Sequence, residues 1–130
     1  MSNKMKVAIY CRVSHENDFA INEQERRLLD YAKANDIEIA TVYKDNGVSG
    51  LGFDRPAYTD LESAIRHGEV DAVLIKDLSR AARGYAEATK WLKWLYDNGV
   101  VLISADGVDY RNVSAPLSEI IRNIATRNAE

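Results

Sequence analysis

The chain has 130 residues and a mass of 14.6 kDa, the size of one compact domain whose core needs no disulfide or metal staple. Hydrophobic residues at 46% and charged residues at 28% exclude a disordered chain, while a net charge of −3 excludes a surface that grips nucleic acid all over and leaves only a local basic site open. The single Cys11 cannot make an internal disulfide, no apolar run approaches the roughly 20 residues of a membrane span, and Met1–Lys6 lacks the apolar core of a secretory signal, so the expectation is a soluble cytoplasmic protein.

Short apolar runs alternate with helical patterns along the chain. Lys6–Cys11 is too uniformly apolar for a one-sided strand and predicts a buried one. From Ile21, the spacing of Ile21, Leu28 and Ala32 among charges predicts a helix that ends near Asn35. Ile37–Tyr43 is the second strand. Lys44–Pro56, with Gly47, Gly50 and Gly52, predicts a loop. Pro56 suits the first turn of a second helix with Leu61, Ala64 and Ile65 facing inward and Gly68 just past its end. Val70–Ile75 is the third strand, and Lys76–Gly84 a polar connection. A third helix carries Ala88, Trp91, Leu92 and Leu95 to Asn98-Gly99, with Trp91 and Trp94 at a spacing that favours packing over base stacking. Val100–Ala105 is the fourth strand, Asp106–Val113 a loop, and Ser114 caps a last helix bearing Leu117, Ile120, Ile121 and Ile124.

Four strand–helix alternations predict an α/β fold, a mostly parallel sheet of four to five strands with helices on both faces. Right-handed crossovers then place every strand-to-helix connection at one edge of the sheet. Three distant stretches meet there. The first carries Arg12 and Ser14, the second Asp45, Ser49 and Arg55, and the third Lys76 to Arg83 with Arg80 and Arg83 three residues apart. A hydroxyl among several guanidiniums, with few carboxylates, suits phosphoryl transfer, because the planar cationic fork matches phosphate oxygens and stabilises added negative charge without a metal. One cysteine and two distant histidines offer no zinc spacing, and no P-loop or G-x-G-x-x-G is present.

At these residues the sequence resembles the serine site-specific recombinases, the resolvase/invertase class. The matching motifs are Tyr10-x-Arg12-Val13-Ser14, Gln24 in the first helix, Asp45 with Ser49-Gly50, Asp54-Arg55-Pro56, and Leu78-Ser79-Arg80-x-x-Arg83. The likeness spans nearly the whole chain and is stronger to the large recombinases of mobile elements than to the small resolvases. It implies that residues 1–130 form the N-terminal catalytic domain, with the start of a long C-terminal helix and with the DNA-binding domain outside this chain. It also implies a chemistry. Ser14 attacks a DNA phosphodiester to give a 5′-phosphoserine link and a free 3′-hydroxyl. Arg12, Arg80 and Arg83 bind the scissile phosphate, and Gln24, Asp45, Ser49 and Arg55 complete the site. The implied partners are DNA and further copies of the chain, as a dimer and an active tetramer, with no metal or nucleotide cofactor. Ser79 stands where many members carry an aspartate, and Thr126-Arg127 is the nearest match to a pair on the family's final helix.

Two rival readings belong to other classes. One is a short regulatory module that joins full-length recombinase assemblies through its last helix. The other is a small-molecule phosphate binder of flavodoxin-like architecture, which the missing phosphate-cradling glycines disfavour.

Overall fold

The computed structural model of the protein describes residues 5–47, 55–80 and 84–107. Its elements are β1 (Val7–Val13), α1 (Asp18–Ala34), β2 (Ile39–Asn46), α2 (Pro56–Arg66), β3 (Ala72–Ile75), a 3-10 turn (Leu78–Arg80), α3 (Gly84–Asp97) and β4 (Val101–Ser104). The expected last helix, and Thr126-Arg127 with it, lies outside the described residues.

The four strands form one parallel sheet in the order β2-β1-β3-β4. Central β1 is buried from Val7 to Arg12, as a strand covered on both faces must be. Alternation along the strands divides the core. Ala8 and Tyr10 face α2 and α3, where Leu61, Ile65, Leu92 and Leu95 pack with Val73, Ile75 and Leu102. Val7, Ile9 and Cys11 face α1, meeting Ile21, Leu28 and Ala32. Trp91 is buried in the first cluster and Trp94 packs against it, which makes both packing residues.

The helix ends follow their sequence signals, with one extension. Asn17 Oδ1 accepts the Ala20 N–H at 2.9 Å, so α1 starts at this cap rather than at the first inward-facing apolar residue, Ile21. Pro56 opens α2, and Gly68 follows its end at φ +73°, a conformation that costs a side-chain-bearing residue.

Two strands run further toward the site than expected. β1 continues through Arg12 to Val13, and β2 continues through Asp45 to Asn46. Arg12 and Asp45, read from sequence as loop or loop-edge residues, are instead neighbours in the ladder. β3 and β4, by contrast, are confined to four residues each.

Candidate active site

β1 outlasts its pairing with β3, which stops at Ile9↔Leu74. Beyond that point the backbone needs another partner on that side. Gln24 supplies it from α1. The Arg12 N–H donates to Gln24 Oε1 at 3.1 Å, and Gln24 Nε2 donates to the Arg12 carbonyl at 3.2 Å. One side-chain amide thus stands in for a strand residue, and both Arg12 and Gln24 are 7% exposed. The Arg12 side chain then crosses to the turn after β3, where its Nε donates to the Arg80 carbonyl at 2.9 Å. This bond joins residues 68 positions apart and fixes the plane of one guanidinium.

Ser14 follows directly, in an exposed bend at the same edge. The bend is held at its far end. Asn46 Oδ1 accepts the Asn17 N–H at 2.9 Å, while Asn46 Nδ2 donates to Asp18 Oδ1 at 2.8 Å. Gly47 closes the clamp at φ +85°, with its N–H donating to the Val13 carbonyl at 3.1 Å. A Cβ placed on Gly47 would meet Glu16 at 3.0 to 3.1 Å, so the bend that holds Ser14 leans on bare backbone.

Asp45 is 2% exposed and is used from three directions. Its Oδ1 accepts the Ala57 N–H at 2.9 Å; its Oδ2 accepts the Tyr58 N–H at 3.0 Å and the Tyr10 hydroxyl at 2.8 Å. It therefore caps the start of α2 from the neighbouring strand, a place where a carboxylate meets both unpaired N–H groups and the helix dipole. The Tyr10 hydroxyl is pushed well above its ordinary range by burial first and then by its bond to Asp45. Arg55, the residue before Pro56, lies with its guanidinium 4.4 Å from the centre of the Tyr58 ring. Burial also pushes the Cys11 thiol up to about 12, which keeps it neutral inside β1.

A groove of about 740 Å³ opens on the other side of Arg12, between α1 and the connections after β3 and β4. Val13, Gln24, Lys76 and Arg80 line it, with Phe19 at its mouth. Its described wall is electrically mixed, since Arg27, Lys76 and Arg80 are matched by Glu23, Asp77 and Asp106. The expectation of few carboxylates at this edge is corrected here: α1 and the end of β4 add acids that the strand-end loops do not reveal. Arg80 Nε is buried and, among the described residues, has no hydrogen-bond partner. An unsatisfied N–H on a cation is expensive in a folded protein, and an anion would relieve it.

Of the residues singled out from sequence, the structure brings together Arg12, Gln24 and Arg80 in one hydrogen-bonded chain, with Ser14 two residues beyond Arg12. It joins Asp45 and Arg55 through the start of α2. Ser49 and Arg83 lie outside the described residues. Sequence reasoning missed Tyr58; an aromatic three residues after an arginine at a helix start is the signal that could have found it. Among the described residues no cluster of His, Cys, Asp and Glu could hold a metal ion, and no helix is long and apolar enough to cross a membrane.

The fold is shared with catalytic domains of serine recombinases. A resolvase family site-specific recombinase from Streptococcus pneumoniae is 31% identical at a TM-score of 0.75, the match covering 97% of this chain and 89% of that one. The N-terminal catalytic domain of TP901-1 integrase is 31% identical at a TM-score of 0.74, covering 95% of this chain and 94% of that one. The C-terminal catalytic domain of ISC1926 TnpA, an IS607-like serine recombinase, is alike in fold at 23% identity and a TM-score of 0.70, covering 95% of this chain and 80% of that one. The family model "Resolvase, N terminal domain" matches residues 7–130, and the chain belongs to that family.

Proposed function

We propose that residues 1–130 form the catalytic domain of a site-specific recombinase that cleaves and rejoins DNA through Ser14. The observation that carries this reading is the Arg12–Arg80 junction, which gathers two arginines beside an exposed serine at the edge of a parallel sheet. The Arg12 guanidinium is bound to the backbone that carries Arg80, whose buried Nε lacks an acceptor among the described residues, and a phosphodiester is an anion that would supply one and that a serine hydroxyl can attack.

In the proposed step, Ser14 Oγ forms a bond to phosphorus and the P–O3′ bond breaks. The serine proton ends on the departing 3′-oxygen, leaving a 5′-phosphoserine and a free 3′-hydroxyl. Attack by a 3′-hydroxyl on that phosphoserine reverses the sequence, so the phosphodiester energy is conserved and no nucleotide is consumed. Arg12 and Arg80 hold the non-bridging oxygens and stabilise the charge that grows on them. Gln24 acts through Arg12, whose backbone it fixes. Arg55 and Arg83 add further phosphate contacts, Asp45 holds the start of α2, and Ser49 completes the polar site. DNA is the substrate, and the working unit holds several copies of the chain, because two duplexes must be cut and exchanged.

The test is to incubate the protein with DNA from the genomic region that encodes it, stop the reaction with detergent, and look for DNA ends carrying protein. Covalent 5′ adducts are expected, and Ser14→Ala should abolish them while leaving the fold intact. Adducts that persist in Ser14→Ala overturn the proposal.

A further inference from the structure

The head of α2 includes one residue with no assigned role, Tyr58, which bears directly on Arg55. The guanidinium of Arg55 sits 4.4 Å from the centre of the Tyr58 ring, inside cation–π range. That ring is itself fixed. Tyr10 meets it edge-on, with centroids 5.8 Å apart and planes at 69°, and the Tyr58 N–H is tied to Asp45 at 3.0 Å. Arg55 precedes Pro56, which disfavours helical backbone there, and it sits outside the helical region at φ −127° and ψ 82°. A ring face attracts the guanidinium cation, and phosphate oxygens are recognised by its N–H edge, so one arginine can serve both.

We propose that Tyr58 is a positioning residue, whose ring holds the Arg55 guanidinium in the orientation that meets the DNA phosphate. This rests on the reading of Arg55 as a phosphate contact. Burial and the nearby Glu62 carboxylate push the Tyr58 hydroxyl up to about 12, so the ring stays neutral where the protein works, and the interaction runs through its π face.

The test is a cycle of Arg55→Ala, Tyr58→Phe, Tyr58→Leu and the double variant Arg55→Ala/Tyr58→Leu. The readouts are first-turnover rate of covalent adduct formation, salt dependence of DNA binding, and thermal midpoint. Tyr58→Phe keeps the ring and should cleave within about twofold of the parent. Tyr58→Leu should cleave about three- to tenfold more slowly and lower the salt slope, as Arg55→Ala does. In the Arg55→Ala background Tyr58→Leu should add less than about twofold, because the ring then has no cation to hold. Equal losses in Tyr58→Phe and Tyr58→Leu would overturn the proposal, as would a Tyr58→Leu loss that persists without Arg55. If Tyr58→Leu fails to fold, a Tyr58→Phe loss of threefold or more is enough to overturn it. Wild-type cleavage by Arg55→Ala would remove both the role of Tyr58 and that of Arg55, while adducts surviving in Ser14→Ala would remove the underlying reaction instead.

Discussion

Asp45 and Arg80 occupy the same edge of one sheet, yet the fold treats them in opposite ways. Asp45 is closed off, with three donors converging on its two oxygens from β1 and α2. Arg80 lends its backbone to the fold, its N–H to Asp77 and its carbonyl to Arg12, while its side-chain Nε is buried without a partner among the described residues. A carboxylate satisfied from every side is committed to structure. A cation left short of an acceptor in the wall of a groove is suited to a ligand. The contrast divides the residues at this edge into those that build it and those left open to a ligand.

Substitutions should expose that division. The largest loss of stability is expected for Asp45→Ala, which uncaps α2 and strands the Tyr10 hydroxyl. Together these cost about 3–4 kcal/mol in urea unfolding. Gln24→Leu keeps the volume but leaves the N–H and carbonyl of Arg12 without partners, for about 2 kcal/mol. It should also slow cleavage, since Arg12 loses its fixed backbone.

A smaller effect follows from pH. Folded Cys11 keeps its proton up to about 12, against 9.0 for the exposed thiol, so the unfolded chain releases a proton that the native state retains. Stability should therefore fall as pH rises above 9, with about 1 kcal/mol lost by pH 10. Cys11→Ala should flatten that part of the curve.

Arg80→Met should shift stability by less than about 1 kcal/mol in either direction, because the carbonyl that receives Arg12 survives and an unsatisfied N–H is removed. Adduct formation should nevertheless disappear. The smallest effect belongs to Arg26→Ala on the outer face of α1. Its ion pairs with Glu23 and Asp30 are exposed, and the unfolding midpoint should not move measurably.

The layers of the fold were legible because they follow from local pattern. Apolar runs marked all four strands, and Pro56, Gly68 and Gly99 marked the helix boundaries. The gathering of Ser14, Arg12 and Arg80 at one edge followed from parallel topology and the recombinase motifs. Less accessible was how each of these residues is held. β1 extends to Val13 along β2 while a glutamine from α1 satisfies its other side at Arg12, and nothing within Lys6–Val13 signals that. Asp45-Asn46-Gly47 reads as a turn, yet Asp45 is strand and cap at once, since its ligands lie beyond it at Ala57 and Tyr58. α1 began early because the Asn17 cap lies outside the inward-facing stripe from which the helix was read.

The account stands on Ser14 as the atom that takes the phosphate, and tryptic mapping of the covalent adduct addresses it most directly. Cleavage after Arg12 and Arg26 releases a peptide of residues 13–26, in which Ser14 is the only hydroxyl side chain. A nucleotide-sized mass increment on this peptide is the predicted result. An increment found instead on a peptide bearing Ser49, or on any tyrosine, would contradict the assignment.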